Sequence, residues 1–376
     1  MSATQVDTVV VGGGAMGSAA AWNLARRGTE TVLLERFEQG HTHGASHGAS
    51  RIFRTSYPDP TYVNLAVEAL GLWTELEELT GTPLLTVTGG VEQGDHPYLG
   101  NTADALEHLG LPYEWLSPEE ARERWPGLRF ETRALFHPGS GRLHADNAVA
   151  ALQRSATDHG ALVRHQTQVR SIEVGGDNSV TVRTTDNEYR ARRVVVAAGA
   201  WASKLLQDIV LMPEIRVTQE QPAHFLPLDP GLEWPSFGNV HDPEVPGAPE
   251  FGGIYGLSSG VEGVKVGFHG TGPVVDPDLR DYLPEPRQFE ALREYVRYWV
   301  PGVDADAATP ISCTYATTAD SNFVIDRAGP VVVAAGFSGH GFKFVPAIGR
   351  LLADLTIDRN APDLFSFRPR TAQKVG

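Results

Sequence analysis

The chain has 376 residues, 31 lysines and arginines against 46 aspartates and glutamates, a net charge of −15 and one cysteine. An acidic surface without a basic tract repels nucleic acid and anionic membranes, and no apolar run approaches the ~18 residues of a membrane span. One cysteine excludes both an intrachain disulfide and a thiolate zinc site, and no His/Cys/carboxylate cluster suggests any other metal.

The length calls for two domains, or one large α/β domain with a second inserted in it. The 40 glycines point to tight turns and close backbone approaches. The N-terminus, MSATQVDTVVVGGG, enters a strand almost at once, without a basic n-region or an apolar h-region, so a cytoplasmic location is expected. Residues 8–12 (TVVVG) read as a parallel strand buried on both faces. GGGAMG follows, with Gly12, Gly14 and Gly17. The alanine-rich SAAAWNLARRG then predicts a helix with arginines in its last turn and Gly28 as its stop. Residues 31–35 (TVLLE) predict a second strand ending in an acid.

A lone GxGxxG is weak, but here it follows a strand, opens a helix and precedes Glu35, 18 residues after Gly17. Glycines in that setting allow a tight turn, close approach of a pyrophosphate and close helix–strand packing. The helix N-terminus attracts the phosphates, and Glu35 would accept hydrogen bonds from the adenosine ribose. The alternative is a glycine-rich turn of an ordinary α/β fold. The fingerprint does not separate FAD from NAD. Glu35 would repel a 2′-phosphate, although Arg36 beside it weakens that exclusion.

RRVVVAAGAW (192–201) and GPVVVAAGFSGHG (329–341) are further valine runs ending in small residues, predicted to join the same doubly wound sheet. Residues 86–145 and 216–320 are rich in Pro, Gly and aromatics and alternate, as in HFLPL and VKVGFH, which predicts antiparallel strands with one face covered. PEPRQFEALREYVRYWVPG (284–302) predicts an amphipathic helix between prolines. The expected fold is a discontinuous Rossmann-like α/β domain (1–85, 146–215 and 321–376), interrupted by an antiparallel-sheet substrate domain (86–145 and 216–320). In VKVGFH, period two puts Lys265, Gly267 and His269 on one face and Val264, Val266 and Phe268 on the other. The valine face is core. The other face is wet or in a site, with Gly267 leaving room for a ring or a substrate.

GASHGASRIFRTSY (44–57), ISCTYATTADSNFVID (311–326) and AAGFSGHGFKF (334–344), with GGGAMG and VKVGFH, resemble the monomeric sarcosine oxidase and N-methyltryptophan oxidase family of flavoproteins. The resemblance runs from about residue 6 to 368, with the motifs in the same order. A single cysteine is otherwise most often a small buried hydrophobe. The resemblance implies that Cys313 forms a thioether to the isoalloxazine ring of FAD. It also implies oxidation of a secondary amine of the amino-acid type to an imine that hydrolyses, with O2 reduced to H2O2.

The same resemblance implies the site. Lys265 would sit near the flavin and stabilise developing superoxide. Arg51 would touch the flavin ring, His47 would stand beside it, and His269 would line the substrate pocket. Arg54 would grip the substrate carboxylate in bidentate fashion, with Lys343 as second ligand. Apart from the resemblance, Tyr315 shares a strand face with Cys313 and is expected to line the substrate cavity, and Tyr255 in GGIYG is expected as a lid or pocket residue, the alternative for both being an ordinary core or surface aromatic. Ala15, Met16, His41, Gly44, Ile52 and Val169 would line the cofactor. The turn Gly339, His340, Gly341 and Phe342 and the helix after it would stabilise negative charge on the reduced ring. The bland alternatives are surface ion pairs for the arginines and a solvated Lys265.

The paired GAS (44–46 and 48–50) and the stretch SFGNVHDPEVPGAPEFGG (236–253) depart from the family pattern. The second is expected to form a loop over the pocket. Sarcosine is the simplest substrate; cyclic imino acids and Amadori adducts are related options. A monomer with a small amine substrate is expected. Rival readings are a flavin dehydrogenase passing electrons to a partner, an NAD enzyme and a non-catalytic flavin module.

Overall fold

The computed structural model describes residues 3–240 and 250–367. The N-terminal valine run forms strand Thr4–Val11, parallel to Thr31–Leu34 on one side and to Glu188–Val196 on the other. Val331–Ala335 pairs in parallel with the second half of Glu188–Val196, Val194 opposite Val331. The four valine-rich runs thus meet in one sheet of eight strands. Leu162–Arg164 adds a parallel edge, while Val169–Val174, Val180–Thr184 and Val324–Ala328 extend the sheet with antiparallel pairs.

The alanines of helix Ala15–Ala25 let another helix approach. A Cβ on Gly349, in helix Val345–Thr356, would lie 2.5 Å from the Ala19 carbonyl carbon, so only glycine fits there. These helices, with Pro60–Thr80 and Ala145–Asp158, build one core of the sheet domain. The expected helix end needs correction: the helix stops at Ala25, Arg26 is its C-cap and Arg27 lies outside, with Gly28 turning the chain at φ +79°.

A second sheet has eight strands in the order Val303–Pro310, Ala223–Pro227, Val264–Phe268, Ile254–Ser258, Ser236–Val240, Gly90–Gly94, Ala134–His137 and Glu114–Leu116. Every neighbour is antiparallel except Ser236–Val240 beside Gly90–Gly94. Val264, Val266 and Phe268 pack on Leu292 and Val296 of helix Pro286–Trp299, so the valine face is core, as period two requires. The expected loop at 236–253 begins as a paired strand, Ser236–Val240. Residues 241–249 lie outside the described residues.

Two small sheets lie apart from the large ones. Arg51–Phe53 and Leu85–Val87 flank Gly141–Leu143. Ile215–Glu220 pairs with Cys313–Thr318, Cys313 opposite Glu220. Arg51 and Cys313 therefore stand on short ribbons rather than in either large sheet. Among the described residues no helix is long and apolar enough to cross a membrane.

Candidate active site

One cavity of about 660 Å³ runs from the GGGAMG loop to Cys313. Gly12, Gly14, Ala15 and Met16 line one end, with Glu35, Arg36 and His41 beside them. Gly44 and Val169 also face it. Arg51, Cys313, Tyr315, Gly339, Gly341 and Phe342 line the other end.

The loop can only be glycine. Gly12 has φ +105°, and a Cβ on it would lie 2.5 Å from the Ala197 carbonyl oxygen. A Cβ on Gly17 would lie 1.9 Å from the Gly12 carbonyl oxygen, so Gly17 lets the helix seat under the loop and does not itself face the cavity. Glu35 accepts from the Gly13 amide (2.6 Å) and the Phe37 amide (2.9 Å), and His41 Nε2 lies 3.4 Å from it. Burial alone would raise its pKa, but these bonds hold it below the ordinary value. Oε2, which accepts only from Gly13, keeps a lone pair for a ribose hydroxyl. The Arg36 cation is already paired with Asp278 at 2.6 Å, and the same carboxylate accepts from Trp201 Nε1 at 2.8 Å. A glycine cradle, a buried acid and a cavity of this size fit FAD.

At the other end, Cys313 Sγ lies 4.0 Å from Arg51 Nη2. The Arg51 guanidinium is fixed by the Ser50 and Ala45 carbonyls, both at 2.8 Å. Lys265 is 5% exposed, so the solvated alternative is excluded. Burial first, then Arg51, lowers its pKa to about 7. Burial, Arg51 and Lys265 push His47 down to about 3, so it is neutral at pH 7, and its Nε2 is buried without a hydrogen-bond partner. His269 keeps an exposed face; the protein around it, then Arg54 and Lys343, lower its pKa, and it shares Nδ1 with the Tyr315 hydroxyl at 3.3 Å. Tyr255 stands edge-on to His269, with centroids 6.5 Å apart, and burial raises the pKa of both tyrosines. The room expected at Gly267 is already filled, since a Cβ there would meet Pro222 at 2.8 Å and the Tyr255 hydroxyl at 3.1 Å.

Arg54 is not a surface residue. It is ion-paired with the buried Glu92. Burial would raise the Glu92 pKa, but Arg54 and His137 bring it down to about 2. His137 Nε2 bonds Ser56 at 3.1 Å, and its Nδ1 meets Ser140. Lys343, 5% exposed, donates to the Tyr57 hydroxyl at 2.9 Å and the His340 carbonyl at 2.8 Å, and burial and Arg54 hold its pKa well below the usual lysine value. The Arg54 guanidinium sits 5.0 Å from the Tyr57 ring centroid, so Tyr57 joins the two cations.

The turn before Lys343 has positive φ at Gly336, Ser338 and Gly339, and a Cβ on Gly339 would fall 2.1 Å from the Tyr315 ring. Of the residues expected at the cofactor, Gly17, Ile52, His340 and Lys343 do not line the cavity wall. His340 instead bonds the Tyr57 hydroxyl at 3.3 Å and the Ser321 carbonyl at 3.1 Å, and Ile52 pairs with Arg142 across its ribbon. Lys265, Arg54, His47, His269 and Tyr255 also lie off that wall, His269 being joined to it by its bond to Tyr315.

Sequence reasoning missed Glu92, Tyr57 and His137. Glu92 is the one charged residue of the strand Gly90–Gly94, and an acid on an inward strand position is the signal that marks it. Tyr57 ends the stretch that carries Arg51 and Arg54.

A parallel sheet opening through a glycine cradle into a dinucleotide-sized cavity defines a flavin- or nicotinamide-type oxidoreductase. The model of the FAD dependent oxidoreductase family (DAO) matches residues 7–355, and the chain belongs to that family. It is 34% identical to monomeric sarcosine oxidase of Bacillus sp. (strain B-0618), over 94% of this chain and 93% of that protein. It is 30% identical to N-methyl-L-tryptophan oxidase of Yersinia pestis, covering 96% and 98%. Its fold matches NikD, an unusual amino acid oxidase essential for nikkomycin biosynthesis, with TM-score 0.86 and 28% identity over 96% and 97% of the chains. The chain is an FAD-dependent amine oxidase.

Proposed function

We propose that this enzyme oxidises the secondary amine of a small N-alkyl amino acid, with sarcosine the simplest case, on a flavin held covalently by Cys313. FAD, when bound, takes a hydride equivalent from the carbon next to nitrogen; the imine hydrolyses and O2 receives the electrons as H2O2. The observation that carries the reading is the placement of the partly buried Arg54 guanidinium and the buried Lys343 amine around one tyrosine beyond the Cys313 end of the dinucleotide cavity. A carboxylate is the natural ligand for such a pair. Glu92 takes part of the Arg54 charge, and the guanidinium keeps further donors for the substrate. The lowered pKa of Lys343 means that an arriving carboxylate favours its protonation.

His47 and His269 are neutral at pH 7, so neither repels an amine, and His269 keeps Nε2 for a contact to it. Lys265 supplies the cation for O2, and the Cys313 sulfur lies 4.0 Å from Arg51 Nη2 at the same end of the cavity. We divide the chain into a cofactor domain (1–85, 146–215 and 321–376) and a substrate domain (86–145 and 216–320), acting as a cytoplasmic monomer. The names of the sarcosine oxidase relatives support both the monomer and the amine.

The test is anaerobic mixing of the yellow holoenzyme with sarcosine, N-methyl amino acids and cyclic imino acids. At least one bleaches the flavin band, and air restores it with release of peroxide. Failure of every secondary amine to bleach it overturns the reading.

A further inference from the structure

Two titratable groups that the proposed function does not use, His224 and Glu262, stand beside Lys265 in the second sheet. His224 lies directly opposite Lys265 in the antiparallel pairing of Ala223–Pro227 with Val264–Phe268. Opposed residues project from the same face, with Cβ atoms ~4.5–5.5 Å apart. On its outer side His224 Nε2 lies 3.6 Å from Glu262 Oε2, in the turn just before the lysine strand. Exposure climbs along this series, from 5% for Lys265 to 12% for the His224 side chain and 43% for that of Glu262. The other charged or titratable groups around Lys265 are Arg51 on its ribbon, Cys313 on the facing ribbon and His47 in the loop before Arg51. Glu262 is the acid in the set.

Resting on the reading of Lys265 as the oxygen-side cation, we propose that His224 relays protons between Glu262 at the surface and Lys265 Nζ. The oxygen half-reaction needs a proton at this place. The substrate C–H bond gives a hydride, that is two electrons and one proton, and O2 needs two electrons and two protons to leave as H2O2. The second proton is matched by the one the amine nitrogen releases as the imine forms, and that proton reaches the oxygen side by exchange with solvent. When Lys265 gives up its proton to the reduced oxygen, His224 passes one to Nζ and takes another from the Glu262 side. A neutral imidazole has one donor and one acceptor nitrogen, which suits it to that transfer. Burial, then Lys265 and Arg51, hold the His224 pKa at about 4, so it passes a proton at pH 7 without keeping it. The Glu262 carboxylate also favours the charged form of Lys265.

The test reduces the holoenzyme with substrate and mixes it rapidly with oxygenated buffer, with and without imidazole, for the wild type and for His224→Ala, Glu262→Gln and Lys265→Met. In parallel, the Lys265 titration is followed by NMR with 13Cε-labelled lysine. The expected result is reoxidation slowed by roughly 100-fold in His224→Ala and restored by imidazole. In Glu262→Gln the Lys265 midpoint moves to lower pH. Wild-type reoxidation in His224→Ala, with Lys265→Met slow, overturns the relay and leaves the oxygen role of Lys265 standing. So does a slow His224→Ala that imidazole does not rescue while the Lys265 midpoint stays fixed in Glu262→Gln, because His224 is then only structural. Wild-type reoxidation in Lys265→Met overturns both.

Discussion

Lys265 is held near the point of losing its proton, because burial and Arg51 lower its pKa to about 7. If its cation serves oxygen, reoxidation by O2 is fast below neutral pH and falls as pH rises through that value. Lys265→Met is expected to leave anaerobic bleaching by substrate largely intact and to slow reoxidation about 100-fold or more. Stopped-flow spectra of the two half-reactions across pH check both outcomes, and a flat profile contradicts the role. Arg54→Ala removes a charge-assisted carboxylate contact worth about 1.5–3 kcal/mol and raises KM roughly 10- to 150-fold. An unchanged KM moves the carboxylate elsewhere.

Glu92 gives a stability prediction with a definite sign. Its folded pKa is depressed to about 2 against ~4.3 in an unfolded chain, so its contribution is full above ~4.3 and is lost as pH falls through about 2. Glu92→Gln leaves Arg54 buried without its carboxylate, at a cost of roughly 3–5 kcal/mol at neutral pH, and removes that share of the acid dependence. Urea unfolding at pH 7 and in the acid window measures both. The chemistry of Lys265 and its face was legible in the sequence because period two fixes which residues share a side. The partner of Arg54 was not, since Glu92 lies 38 residues away on a strand of the second sheet and only the fold brings them together.

At the scale of elements, the valine runs and the glycine fingerprint were legible because burial on both faces and a crowded backbone each leave a local mark. The three-residue ribbon Arg51–Phe53 leaves none, and neither does the pairing of Cys313–Thr318 with Ile215–Glu220. Its partner strand is set by tertiary packing rather than by pattern. The turn GFSGHGFKF was legible as glycine-rich, but its cause is steric: Gly339 combines φ +77° with a Tyr315 ring where its Cβ would be. Gly339→Ala is therefore expected to cost about 2 kcal/mol or more. In a Tyr315→Ala background it should cost measurably less, because the collision is gone while the backbone penalty remains. Thermal unfolding of the four proteins in this cycle decides it, and equal costs in both backgrounds contradict the packing account.

At the scale of the whole molecule, two sheets of eight strands stand joined by short ribbons, and the ribbons carry Arg51 and Cys313 to the far end of a cavity that begins at the first glycine loop. The chain returns to that cavity from segments more than 300 residues apart, Gly12 at one end and Phe342 at the other. A dinucleotide that spans it would tie them together, and a bond to Cys313 would make the tie permanent. Acid precipitation of the purified holoenzyme tests this most directly. A yellow pellet from wild type, with the colour passing to the supernatant in Cys313→Ser, is the result predicted here; a yellow supernatant from wild type contradicts the tether.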